Sequence, residues 1–286
     1  MKKLAFVCSC LLLGLSSQAQ EIIKLEIYHT NDMHSRIEPF PQDYSTPQMA
    51  DKAGIVRRVT FLEAERQKDP ELLLFDCGDF SQGSPYYNLF KGSTEVEFMN
   101  LCKYDVGTIG NHEFDFGEEN MKRIFQEAKF PIVCANYTVE GTPLEGVVKP
   151  YTILYRKGLK IGVFGLGAEM DGLVQAKNYV GMKFLNPIDV ANEVAQKLKE
   201  EEKCDLVICL SHLGWQESMT RPYCDGNLAA HTRNIDVILG GHSHTYMEHP
   251  RMIKNLDGKE IPVTQMGKNA MWVGHLTLTF TSHPQP

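Results

Sequence analysis

Gly110-Asn111-His112-Glu113-Phe114-Asp115 follows a short β-type run, Val106 to Ile109, and precedes a helical pattern that begins near Glu118. Asn offers a metal an oxygen donor, His can give up a proton, and a nearby Asp can hold that His in one tautomer. Four other segments, far apart in the chain, also end an apolar run with metal-ligating side chains. They are Asp32-Met33-His34, Gly78-Asp79, Ser211-His212 and Gly241-His242-Ser243-His244. Alone, the hexapeptide is only suggestive; in this company it decides the fold.

The remainder of the chain alternates short β runs with helical patterns, which predicts a layered α/β domain. Strands are expected at Lys24 to His29, Leu72 to Phe75, Val106 to Ile109, Pro131 to Ala135, Asp205 to Leu210 and Ile235 to Leu239. Thr152 to Tyr155 and Lys160 to Leu166 read as a hairpin turning at Lys157-Gly158. Helices are expected over Gln48 to Arg66, Glu95 to Cys102, Glu118 to Ala128 and Pro187 to Glu201, the last opened by a proline suited to a first turn. Ile261 to Gln265 and Trp272 to Phe280 read as two antiparallel strands paired with each other. Continuous apolar runs such as Leu206-Val207-Ile208-Cys209-Leu210 fit strands covered on both faces. The expected architecture is a four-layer α/β/β/α sandwich, two mixed β-sheets flanked by helices, with the site at the strand carboxyl ends.

The chain start reads as an export signal: Lys2 and Lys3, then the apolar run Leu4 to Leu15, then Ser17-Gln18-Ala19 as a small-residue cleavage site. That run is shorter than the roughly 20 apolar residues a membrane span needs. The reading is therefore residues 1–19 as signal peptide and residues 20–286 as one domain, exported to a periplasmic or extracellular location without stable membrane insertion. A formal charge of −7 argues against nucleic-acid binding, which usually shows a basic face. It leaves a phosphate substrate open, because bound cations can reverse the local sign. Cys77, Cys134 and Cys209 lie in or at the end of apolar runs, where a thiol behaves as a small buried hydrophobe; free buried thiols are expected.

Ligand sites in open α/β sheets form at the carboxyl ends of strands, and all five motifs sit there. Asp32 and His34, like His242 and His244, are two apart and, if extended, would point the same way. The candidate ligands are Asp32, His34, Asp79, Asn111, His212, His242 and His244. Seven are too many for one tetrahedral ion and suit two ions sharing a carboxylate. Mixed imidazole and oxygen donors fit zinc, manganese or iron better than magnesium, with calcium disfavoured.

These five motifs, in this order, resemble those of the calcineurin-like metallophosphoesterases. The text His29-Thr30-Asn31-Asp32-Met33-His34 and Gly110-Asn111-His112-Glu113-Phe114-Asp115 is most similar to their 5′-nucleotidase branch. The resemblance runs from about Lys24 to Phe280. It implies that Asp32, His34 and His244 bind one metal, that Asn111, His212 and His242 bind the other, and that Asp79 bridges. One departure is His244, where some relatives carry Gln. It also implies a phosphomonoesterase in which a metal-bridging hydroxide releases inorganic phosphate, nucleoside monophosphates being the favoured small phosphorylated substrates. Cyclic nucleotides, sugar phosphates or the sulfur substrates of related thiosulfohydrolases are the alternatives. His112 would stabilise the transition state or protonate the leaving oxygen, with Asp115 orienting it.

The resemblance implies a C-terminal nucleotide-recognition domain in members of that branch; the reading here is a chain without it, and an obligate subunit completed by a separately encoded C-terminal-type partner is a further expectation. A metal-binding module without turnover is disfavoured by the intact His112. Competing readings attach to single residues. Asp115-Phe116-Gly117-Glu118 also reads as a capping box, Asp76 as either a supporting acid or a turn residue, and Glu113 as a local hydrogen-bonding group. His29, His231, His249, His275 and His283 read as structural or exposed.

Overall fold

The computed structural model describes residues 22–216 and 222–281. The proposed signal at residues 1–19 and the tail at 282–286 lie outside the described residues. In chain order the strands are β1 (Ile22–Thr30), β2 (Leu73–Asp76), β3 (Val106–Thr108), β4 (Ile132–Val133), β5 (Tyr151–Arg156), β6 (Leu159–Leu166), β7 (Leu206–Ser211), β8 (Val237–Leu239), β9 (Arg251–Lys254), β10 (Glu260–Thr264) and β11 (Gly274–Thr281). The helices are α1 (Ile55–Lys68), α2 (Pro85–Phe90), α3 (Ser93–Cys102), α4 (Glu118–Glu127), α5 (Pro187–Gln196) and α6 (Asp225–Ala230).

Two mixed sheets form, one in the order β11-β1-β2-β3-β4 and the other β5-β6-β7-β8-β10-β9. Within the first, β1 to β4 are parallel and β11 runs antiparallel to β1. Within the second, β6, β7, β8 and β10 are parallel, with β5 and β9 as antiparallel edges. Strand alternation explains the layering. On β7, Leu206, Ile208 and Leu210 face the core between the sheets, while Val207 and Cys209 face the helical side. Each such buried aliphatic contributes roughly 1.5–3 kcal/mol relative to exposure. The outer face of the first sheet packs with Leu62, Met99, Met121 and Ile124 of α1, α3 and α4; that of the second packs with Ala191, Ala195 and Leu228 of α5 and α6. The four-layer α/β/β/α expectation holds, and the six described cysteines are free and buried.

Several boundaries differ from the sequence reading. Helix α1 starts at Ile55 rather than near Gln48, because Asp51, Ala53 and Gly54 adopt positive φ. The segment before it instead folds back, with Phe40 N–H donating to the Lys52 carbonyl at 2.8 Å. Beyond Gln196 the helix containing Pro187 widens into a π turn over Lys197–Glu201. Helix α2 and strand β9 were not anticipated. The larger correction concerns the chain end: β10 and β11 are not partners. β10 joins the second sheet beside β8, and β11 crosses to the first sheet beside β1. The connection passes over the site, where Asn269 N–H donates to the Asp32 carbonyl at 2.8 Å and Met266 N–H to Asn31 Oδ1 at 2.8 Å.

The sheets come into close contact at Gly165 of β6. The Ala135 N–H donates to its carbonyl at 2.8 Å, and a methyl group there would overlap the Val133 carbonyl and the Thr108 hydroxyl. Gly165→Ala is therefore expected to destabilise the fold by about 1–3 kcal/mol, the usual cost of overpacking. Denaturant unfolding should show a lower midpoint at unchanged slope; an unchanged midpoint would mean that the sheets are not in register contact here.

Candidate dinuclear metal site

Strands β1, β2, β3, β7 and β8 all deliver their carboxyl ends to one place. The loops that follow are tied to one another through their backbones. The Asp32, His34 and Ser35 N–H groups donate to the carbonyls of Gly78 (2.9 Å), Asp79 (3.0 Å) and Phe80 (2.9 Å). His112 N–H donates to Asp79 Oδ1 at 2.8 Å, and His242 N–H to Asp32 Oδ2 at 2.8 Å. Loops this close leave no room for side chains at two glycines. A methyl on Gly110 would run into the Asp79 carboxylate, and one on Gly241 would lie 2.8 Å from both the Cys77 carbonyl and His212 Nδ1.

Asp32, His34, Asp79, His242 and His244 all have positive φ, between 45° and 74°. This corrects the expectation that Asp32 and His34, and His242 and His244, lie in extended segments. Their side chains converge because the backbone is left-handed, a conformation disfavoured for residues with a Cβ and common at functional sites.

Six of the seven sequence candidates fall into two groups. Asp32, His34 and His244 offer ligand atoms within 4.8 Å of one another, as do Asp79, His212 and His242. Asp32 Oδ1 lies 3.3 Å from His244 Nε2 and 3.8 Å from His34 Nε2. Asp79 Oδ2 lies 3.1 Å from His212 Nε2, whose 4.0 Å approach to Asp32 Oδ1 links the two groups. Asp32 Oδ1, Asn111 Oδ1 and His212 Nε2 are buried without a hydrogen-bond partner. Buried polar atoms are rarely left so, and bound cations would give such atoms partners. The opposite ring nitrogens already have partners: His212 Nδ1 donates to the Cys77 carbonyl at 2.6 Å and His34 Nδ1 to the Ser81 carbonyl at 3.3 Å. Both rings thus turn Nε2 inward, as second partners of metal-binding histidines do.

The electrostatics agree. Burial works to lower the pKa of His212, yet the charges of Asp79 and Asp32 outweigh it and raise it to about 10. Asp79 is itself held below the usual carboxylate range, His212 overriding the effect of burial. His112 stands at the edge of the site, its ring centroid 5.5 Å from that of His34. Its Nδ1 lies 3.2 Å from both oxygens of Asp115; burial opposes, but this bond and the charge of Asp79 raise its pKa. The capping-box reading of Asp115 is corrected: the N-cap of α4 is Gly117, and no side chain caps it.

Three supporting residues escaped assignment from sequence. Asn31 Nδ2 donates to Asp32 Oδ2 (2.6 Å) and to the Gly267 carbonyl (2.8 Å). Gln265 Nε2 donates to the Gly241 carbonyl (2.6 Å), and its Oε1 accepts from Ser243 Oγ (3.0 Å) and Thr245 N–H (2.5 Å). Glu113, read only as a local group, accepts from the N–H of Gly110 (2.6 Å), Asp79 (2.9 Å) and Ser81 (3.1 Å), so it joins two loops. The available signal for Asn31 and Gln265 was positional, each being a polar residue just past the end of a strand; Glu113 lies instead in the helical turn His112–Phe116. Asp76 braces its own turn, accepting from Thr30 Oγ1 (2.7 Å) and Gly78 N–H (3.1 Å), and burial pushes its carboxyl up to about 8. His29 is wholly buried with neither ring nitrogen paired.

Asn31→Ala removes one of two donors that fix Asp32 Oδ2 and orphans Met266 N–H. Divalent-cation affinity should fall about 10–100-fold, the usual cost of losing such a partner, as measured by calorimetric titration of zinc or manganese. Unchanged affinity would remove Asn31 from the site.

The model of the calcineurin-like phosphoesterase family matches residues 25–246. The chain is 30% identical over 276 residues to the human 5′-nucleotidase, covering 90% of this chain and 46% of that protein. It therefore spans about half the length of the curated relatives it matches. Among solved structures, a 5′-nucleotidase precursor from Thermus thermophilus superposes with a TM-score of 0.79 at 29% identity, covering 90% of this chain and 52% of that one. A calcineurin-like phosphoesterase from Bacillus subtilis superposes with a TM-score of 0.75 at 26% identity, covering 92% and 87%. The chain belongs to the calcineurin-like phosphoesterase family.

Proposed function

We propose that the protein hydrolyses phosphomonoesters to inorganic phosphate and an alcohol, with nucleoside monophosphates as the favoured substrates. The observation that carries this reading is the pair of ligand groups with the His112–Asp115 couple beside them. The donor set fits two divalent ions: two carboxylates, an amide oxygen and inward-facing imidazoles, three of whose buried atoms are otherwise unpaired. Asp32, His34 and His244 would hold one ion, Asn111, His212 and His242 the other, and Asp79 would lie between them. The chemistry such a pair supplies is Lewis acidity, which activates water and neutralises charge on the phosphoryl oxygens.

The remaining work falls to the chain itself. Water oxygen bonds to phosphorus, the ester P–O bond breaks, and the leaving oxygen takes a proton from His112 Nε2. Asp115 keeps His112 Nδ1–H engaged, so that Nε2 faces the substrate. The buried carboxylates keep the loops in place: Asp32 through Asn31 and His242 N–H, Asp79 through His112 N–H. Zinc, manganese or iron suits these donors better than magnesium.

We place this activity outside the cytoplasm, on the Lys2-Lys3, Leu4 to Leu15 and Ser17-Gln18-Ala19 pattern, with residues 20–286 as a single domain. No helix among the described residues is long and apolar enough to cross a membrane.

His112→Ala should lower kcat by about 10²–10⁴, the usual worth of an acid–base group, with metal content retained. Loss of metal together with activity would instead make His112 a ligand. Asp79→Asn should release both ions together on dialysis, as read by elemental analysis, whereas loss of one ion alone would refute a shared carboxylate. The N-terminal sequence of protein recovered from the exported fraction should begin at Gln20; an intact Met1 would overturn the export reading.

A further inference from the structure

Two serines stand beside candidate ligands, Ser35 directly after His34 and Ser211 directly before His212. Both are buried, and each donates its hydroxyl proton to a carboxylate on a helix of the adjacent outer layer. Ser35 Oγ bonds to Glu95 Oε1 of α3, and Ser211 Oγ to Asp225 Oδ1 of α6 at 2.5 Å. Each acid lies in the first turn of its helix, where the helix dipole favours a carboxylate. The helices themselves are anchored, α3 by Val96 and Met99 against the first sheet and α6 by Leu228 and Ala229 against the second.

Both hydroxyls also fix backbone at the ligand. Ser84 Oγ accepts from Tyr87 N–H at 3.3 Å as the N-cap of α2. A hydroxyl has one proton to give; that of Ser35 goes to Glu95, so Ser84 donates to Ser35 Oγ, 2.5 Å away. Ser35 and His34 have φ of 50° and 45°, and this chain of hydroxyls holds a pair of residues that would otherwise relax to a commoner backbone region. In the second loop, Ser211 Oγ accepts from Leu213 N–H at 3.2 Å and so spans His212, whose own N–H donates to the Leu166 carbonyl at 2.8 Å. Glu95 Oε2 and Asp225 Oδ2 are buried without a hydrogen-bond partner. A half-paired buried carboxylate lowers stability, and two of them, each fastened to the neighbour of a candidate ligand, point to a task at the site.

We propose that Glu95 and Asp225 are positioning residues, one for each group of candidate ligands. Glu95 acts through Ser35 on the group of Asp32, His34 and His244, and Asp225 acts through Ser211 on the group of Asp79, His212 and His242. Each outer helical layer thereby grips one half of the site, and the two halves can be weakened separately. The inference rests on the two-ion reading above and adds the residues that hold each half in place.

The test loads the full chain with zinc, dialyses it at a fixed low free zinc concentration and counts ions per chain by elemental analysis. The wild type should keep two. Glu95→Ala and Asp225→Ala should each keep one, affinity at the affected group falling about tenfold or more. Adding His34→Ala to Glu95→Ala should cost no further ion, whereas adding it to Asp225→Ala should leave none. Glu95→Gln and Asp225→Asn retain an oxygen that accepts the serine hydroxyl and should keep two ions. Ser35→Ala and Ser211→Ala should match the alanine variants of their partners, and they carry the test where a carboxylate variant does not fold. Loss of both ions in one single variant, loss in neither, or equal loss in the amide variants would overturn the assignment while the two-ion reading stands. Failure of both the serine and the carboxylate variant of a pair to fold, seen by circular dichroism, would make that pair a brace of the fold alone and overturn it likewise. A wild type that keeps fewer than two ions would refute the two-ion reading, and this inference would fall with it.

Discussion

Five non-glycine residues with left-handed backbone, all of them candidate ligands, meet where the two sheets deliver their strand ends. Such conformations cost roughly 1–3 kcal/mol each, so they persist only where the surroundings over-determine them. Here the surroundings are rungs of backbone hydrogen bonds between loops, from Asp32, His34 and Ser35 to the carbonyls of residues 78–80. The cores on either side of each sheet hold the strands that carry these loops. Strain at the site and stability in the layers are two sides of one arrangement.

That arrangement also sets the direction of Asp32 and His212. Asp32 spends Oδ2 on Asn31 and His242 N–H and leaves Oδ1 unpaired; His212 spends Nδ1 on Cys77 and turns Nε2 inward. Carboxylates buried this deeply need a compensating positive charge, and the inward-facing donors are arranged to hold one.

Much of this was legible from the residues. Alternating apolar runs and helical patterns gave two covered sheets, because burial on both faces of a strand leaves a continuous hydrophobic signature, as in Leu206 to Leu210. The five motifs supplied the candidate ligands, because metal chemistry restricts the residue types and strand ends restrict their placement. The pairing of the chain end was misread. Ile261 to Gln265 and Trp272 to Phe280 look like neighbours, since proximity in sequence usually means proximity in space. Only their separate partners, β8 and β1, show that the chain crosses between sheets over the site.

The sequence alone determined which side chains could bind cations and which segments would be buried, since both follow from residue type and local order. Tertiary structure decided the rest. Nothing in the spacing of Asp32 and His34 requires positive φ; the carbonyls of a loop some 45 residues away impose it. Nothing marks Gln265 as the brace of Gly241 until β10 lies beside β8. Such assignments depend on hydrogen bonds between loops distant in sequence, and these partners exist only once the sheets have brought the strand ends together.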